Sequence, residues 1–147
     1  MPRKSKSESP TSNVQYPMSK DGRGPLVKES GYDLEDRLID FAVRIIRLTE
    51  ALPNTKAGAH VAGQILRSGT SPAPNYGEAQ SAESAADFIH KLKIALKELR
   101  ETLIWLKIVF RANLIKSTAL LAPLMRENDE LIAILFASVK TAGKGKA

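Results

Sequence analysis

The sequence predicts an all-α protein, an antiparallel up-and-down four-helix bundle. Three observations carry this. Apolar residues recur at spacings of three and four in four successive segments. No segment alternates apolar and polar residues as a half-buried strand does. The connections between segments are short, which sets consecutive helices antiparallel and adjacent.

The first helix starts near Asp33, a capping residue, with Glu35 and Asp36 in the turn where the helix dipole favours acid. Leu34, Leu38, Phe41, Ala42, Ile45 and Leu48 keep the helical period, and "LPNT" at 52–55 ends it. Thr55 is then the N-cap of the second helix. Its seam runs through Ala57, Val61, Ile65, Gly69, Pro72, Tyr76 and Ala79. That seam crosses "RSGTSPAPNYGEAQ" (67–80), whose two prolines and two glycines read as a loop. A polar stripe of Gln64, Arg67, Ser71, Asn75 and Glu78 also keeps helical time there. A loop has no reason to preserve phase. The expectation is one helix from Thr55 to Gln80, kinked at Pro72/Pro74, each proline removing a donor and disfavouring helical geometry before it. Its small residues would allow a neighbouring helix to approach closely.

The third helix runs from Ser84 to Ala112 without Gly or Pro, with Ser84 as cap and Asp87 at the capping-box position. Phe88, Leu92, Ala95, Leu99, Leu103, Leu106 and Phe110 form its core stripe. At 1.5 Å per residue it is about 40 Å long. Asn113 breaks the pattern, and "STALL" (117–121) reads as a lead-in turn. Pro123 suits the first turn of the fourth helix, which runs to about Lys140.

The 147 residues suit one domain. At 43% hydrophobic but only 5% aromatic residues, the core must be aliphatic. With no cysteine, a disulfide framework, thiolate catalysis and cysteine-ligated zinc are excluded. No apolar run is long enough to span a bilayer and no signal-like segment opens the chain, so the expected setting is the cytoplasm, with no membrane partner. The net charge of +6 lies in the tails: residues 1–30 hold six basic and three acidic residues, and residues 140–147 hold three lysines and no acid. Residues 31–139 balance to zero. Residues 1–30 and 142–147 are too polar to bury a core and are expected to be disordered basic tails flanking a bundle domain at 31–141.

The chemistry expected is binding and not catalysis. A di-metal bundle needs two carboxylate-x-x-His pairs; Asp87 and His90 make one, but Ala57 precedes His60. There is no phosphate loop, nucleophile elbow or dinucleotide turn. No catalytic residue, cofactor, metal or small-molecule substrate is therefore expected. Lys93, Lys97, Arg100, Lys107 and Arg111 cluster on one side of the third helix, opposite its core stripe, and could follow a phosphate backbone. A solvated basic face is the competing reading. No aromatic residue lies among these cations; Ile104 sits in their middle, which speaks against single-strand binding by base stacking. Ile94, Trp105 and Ile108 form a second apolar stripe beside the core and are the candidate subunit interface, unless the core is simply wide.

The pattern Gln64-x-x-Arg67-Ser68-x-x-Ser71-x-x-x-Asn75-x-x-Glu78 resembles the signature of the bacterial four-helix-bundle proteins named after 23S rRNA intervening sequences. "FIHKLKIALKELRE" (88–101) is similar to that family's third-helix block, with Phe88, Ala95, Leu96 and Glu101 at its apolar and acidic positions. "ENDELIAI" (127–134) resembles its fourth-helix motif. The resemblance covers about residues 31–141. It departs at the second proline of "PAP" and in the long N-terminal tail. It implies a helical bundle that assembles into a ring-shaped homopentamer, without enzymatic activity. A distant cousin group, the accessory proteins of diversity-generating retroelements, is also pentameric and binds nucleic acid and a reverse transcriptase. The family name records where some genes sit and does not establish rRNA binding. The function expected is a homo-oligomeric scaffold contacting structured RNA or a ribonucleoprotein through the basic stripe, with a protein-only scaffold as the alternative. Gln64, Arg67, Ser71, Asn75 and Glu78 are expected to form a polar structural network, with Glu101 as partner across the helix pair.

Overall fold

The computed structural model describes residues 33–146. The expected N-terminal tail, residues 1–30, lies outside the described residues. Five helical segments follow one another: α1 (Leu34–Ala51), α2 (Lys56–Thr70), α3 (Pro72–Gln80), α4 (Ala85–Arg111) and α5 (Leu121–Lys146). They make four antiparallel rods, because α2 and α3 form one bent helix. Around the bundle the rods run α1, α2–α3, α4, α5, with α1 and α4 on a diagonal. No strand occurs among the described residues.

Capping chemistry explains the starts of α2 and α4 and the end of α4, whereas Asp33 before α1 makes no side-chain cap bond. Thr55 and Ser84 each accept a hydrogen bond at 3.0 Å from the third backbone N–H onward, Gly58 and Asp87 respectively. At the end of α4, Asn113 adopts a left-handed φ of 54°. Its N–H donates to Phe110 O at 3.2 Å, and that of Leu114 to Val109 O at 3.1 Å. This is the Schellman arrangement, in which asparagine substitutes for glycine. Pro123 lies in the first turn of α5, as the sequence predicts. The helix then continues through Lys146 instead of stopping near Lys140, so the expected C-terminal tail at 142–147 is helical up to Lys146. Helical hydrogen bonding propagates at little cost once a turn exists.

The proline stretch is a kink. Ser71 between α2 and α3 keeps right-handed helical angles, φ −81° and ψ −26°. Pro72 cannot donate to Ser68 O; the Ser71 hydroxyl reaches that carbonyl at 3.5 Å. One turn later the ladder is restored, with Asn75 N–H donating to Ser71 O at 3.1 Å. The bend therefore falls where the donors are missing, and the seam continues across it: Ile65, Gly69, Pro72 and Ala79 are all buried.

The core is aliphatic, built from Leu38, Ile45, Leu48, Ile65, Leu92, Leu99, Leu106, Leu131 and Leu135 around Phe41. Two expected core positions differ. Ala57 is exposed in the first turn of α2. Phe110 is 54% exposed, because it lies in the last turn of α4, where Val109 takes the inward position.

Candidate nucleic-acid interface

Helix α4 places its cations where the 3.6-residue period puts them. Lys93, Lys97, Arg100, Lys107 and Arg111 are all exposed on its outer face. Among the described residues, none of the five forms an ion pair with a carboxylate. Three other cations differ. Arg37 of α1 grips Glu127 of α5 with two hydrogen bonds, at 3.0 and 2.6 Å, and Glu130 at 3.0 Å. The Glu127 hydrogen bond, followed by Glu130, raises the Arg37 pKa further. Lys91 pairs with Glu78 at 2.7 Å. The fold thus separates cations spent on its own carboxylates from cations left to solvent.

Ile104 stands in the centre of the unpaired cations, 55% exposed. With Lys107, Ile108, Arg111 and Ala112 it lines a shallow hollow. The absence of an aromatic among the cations, expected from the sequence, does not survive folding. Helix α5 brings Phe136 against this face, with its ring centroid 5.7 Å from the Arg100 guanidinium carbon.

On the other side of α4 the expected polar network is only partly formed. Arg67 reaches across from α2 to Glu98 at 3.0 Å and also to Glu101. Trp105 Nε1 donates to the same Glu101 carboxylate at 3.0 Å. These contacts, Arg67 first and Trp105 second, hold the Glu101 carboxyl below its ordinary pKa. Beneath them the Thr102 and Ser68 hydroxyls meet at 2.8 Å, both fully buried. Thr102 has one proton and directs it to Glu98 O at 2.7 Å, so Ser68 donates to Thr102.

Asn75 and Glu78 do not join this cluster. The kink turns the end of the polar stripe away: Asn75 donates its amide to Ser71 O at 3.0 Å, and Glu78 goes to Lys91. Ser71 serves the kink itself. Gln64 is half-buried, one turn before Ser68. Sequence reasoning also missed Glu98, Lys91, Ser68 and Thr102 as partners, and Asn128. That asparagine is fully buried within an otherwise acidic run. In the orientation its surroundings dictate, its amide donates to Leu99 O at 3.0 Å and accepts from Leu103 N at 3.1 Å.

The candidate subunit interface is divided by the fold. Trp105 packs partly into the core, and the His60 ring meets it edge-on at 6.0 Å. It is partly buried within the chain. Ile94 is half-buried, while Ile108 is 39% exposed. On the diagonal helix α1, Ile39 and Ile46 are exposed seven residues apart, hence on one face. No group of three or more His, Asp or Glu residues among those described is placed to hold a metal. None of the described helices is long and apolar enough to cross a membrane.

A conserved-pattern comparison matches residues 33–137 to the family described as 23S rRNA-intervening sequence protein. The chain belongs to that family. A solved crystal structure from Bacteroides thetaiotaomicron, of a protein with unknown function from the S23 ribosomal protein family, is 39% identical. The similarity covers 73% of this chain and 98% of that one, with a TM-score of 0.68. No curated protein matches the chain. The family match spans both the kinked helix and the cation-bearing α4.

Proposed function

We propose that this 23S rRNA-intervening sequence family member is a non-catalytic, oligomeric four-helix scaffold that contacts structured RNA or a ribonucleoprotein through the outer face of α4. The observation that carries the reading is the sorting of cations. Arg37, Arg67 and Lys91 are consumed by carboxylates, whereas five cations on one rigid helix have no such partner among the described residues. A row of unpaired cations on a helix matches a polyanionic backbone. The B. thetaiotaomicron relative's ribosomal family name is consistent with an RNA partner, and a cytoplasmic setting goes with it. Assembly, with a homopentamer as the expected size, is supported by apolar residues on two diagonal faces, Ile39 and Ile46 on α1 and Ile108 on the α2-facing edge of α4. A head-to-tail contact needs two such unlike faces, and it closes into a ring when the rotation allows.

Titration of a structured RNA at increasing salt tests the binding. Affinity should fall on a log–log plot with a slope of about −0.7 to −0.9 per phosphate contacted. Absence of binding at low salt rejects the RNA reading. Light scattering tests assembly, and the mass of a single chain at high protein concentration rejects it. The exposed Ile104 amid the cations favours a second reading, a protein-only scaffold. It predicts a protein captured in cell pull-downs that resists nuclease treatment.

A further inference from the structure

We propose that the edge where α4 meets α5 is a stacking platform for an unpaired RNA base, with Phe136 as the ring on which the base lies. The inference rests on the RNA reading above and narrows its ligand to single-stranded segments such as loops and bulges.

Phe136 is 51% exposed, although its neighbour Leu135 is fully buried. The core of α5 is complete without it. Its ring lies under the Arg100 guanidinium, at 5.7 Å. Arg100 belongs to the unpaired row, with Lys97 and Lys93 exposed three and seven residues before it on α4. Lys140 is exposed four residues after Phe136 on α5. Because α4 and α5 are antiparallel, Lys93 and Lys140 flank the same end of the platform. The exposed part of a ring amid cations can engage a base and its adjoining phosphates together, and the stacking is tolerant of sequence. An A-form duplex keeps its bases stacked on each other and presents phosphates and hydroxyls, so it gains from the cations but not from the ring.

The test measures binding of the full-length protein to two labelled RNAs by fluorescence anisotropy across a salt series: a single-stranded 12-mer and a 12-base-pair duplex. Phe136→Leu should weaken the single strand by about 5- to 150-fold, the range expected for one lost base stack. It should leave duplex affinity and both salt slopes unchanged. Phe136→Trp should retain single-strand binding. Phe110→Leu, which removes the other exposed phenylalanine ring, should have no effect. Lys93→Gln with Lys97→Gln should weaken both RNAs and flatten both slopes. Circular dichroism melting verifies that each variant is folded. If Phe136→Leu affects neither RNA, or both equally, or if Phe110→Leu weakens the single strand as much, the platform is overturned while the phosphate reading stands. If the wild-type protein binds neither RNA at low salt, the phosphate reading fails and the platform fails with it.

Discussion

Ile45 of α1 fills the space that a side chain at Gly69 would need. A Cβ built on Gly69 would lie 2.7 Å from Ile45 Cγ1 and 2.9 Å from its Cδ1 and Cγ2. Both residues are fully enclosed, just before the kink. The close approach of α1 to α2 therefore depends on a missing side chain, not on glycine's backbone freedom. Gly69→Ala should destabilise the fold by about 1–3 kcal/mol through overpacking. Ile45→Val in the same chain should return part of that loss. Denaturant unfolding of the two single variants and the double variant measures the coupling.

Asn128 should be sensitive in a way its acidic neighbours are not. Asn128→Ala removes two buried hydrogen bonds to the α4 backbone and leaves a small void, at a cost of about 1–3 kcal/mol. Asn128→Asp should be worse at neutral pH, since a buried carboxylate accepts from Leu103 N but cannot donate to Leu99 O. Burial raises the folded-state pKa of that carboxyl, so its penalty should shrink as pH falls and the protonated form donates again. Thermal melts of the variant at pH 5 and pH 8 read this out, and a penalty independent of pH contradicts it.

The Ser68–Thr102 pair should behave as a unit. Thr102→Val keeps shape but strands the Ser68 hydroxyl in a dry site, costing about 1–3 kcal/mol. Adding Ser68→Ala removes the stranded group. The double variant should therefore lose less than the two single losses together, as measured by denaturant melts.

Acid should weaken the α2–α4 contact through Glu101. Its folded-state pKa is depressed below the ordinary 4.5 by Arg67 and then Trp105. A depressed carboxyl contributes stability that is present above its unfolded pKa and lost as pH falls through the folded one. Arg67 is half-exposed, so the contribution is small and screened. Glu101→Gln should lower the melting temperature slightly at pH 7 and should reduce its dependence on pH below 4.5. Equal acid dependence in both proteins would show that Glu101 plays no part.

The unpaired cations should be dispensable for folding. Lys97→Gln and Lys107→Gln should each change stability by no more than about 0.5 kcal/mol, as expected of an exposed side chain without a partner. Urea unfolding checks this, and a larger loss would mean that these lysines support the bundle.

Much of the fold was legible because helices are local. Thr55 and Ser84 cap the third N–H beyond them, an interaction within one turn. The kink was legible for the same reason: the phase from Val61 to Ala79 and the missing proline donors belong to one segment. The end of α5 was not legible, because "AGKGK" carries weak helix formers, yet the helix passes through it to Lys146. The site was half legible. The positions of the α4 cations follow from the helical period, and the Arg67–Glu101 pairing was expected. Their division into paired and unpaired sets was not.

The sequence by itself determined which residues share a face of each helix and where the helices begin, and its phase pointed to a bend in the second one. Neighbours three and four residues apart are fixed by helix geometry alone. The tertiary structure decided which faces meet. It brought Arg37 to Glu127 across 90 residues, set His60 edge-on to Trp105, buried Asn128 against the α4 backbone and set Phe136 under Arg100. These depend on the register and crossing of packed helices, which core volume and the close approach at Gly69 set jointly, and no single segment encodes them.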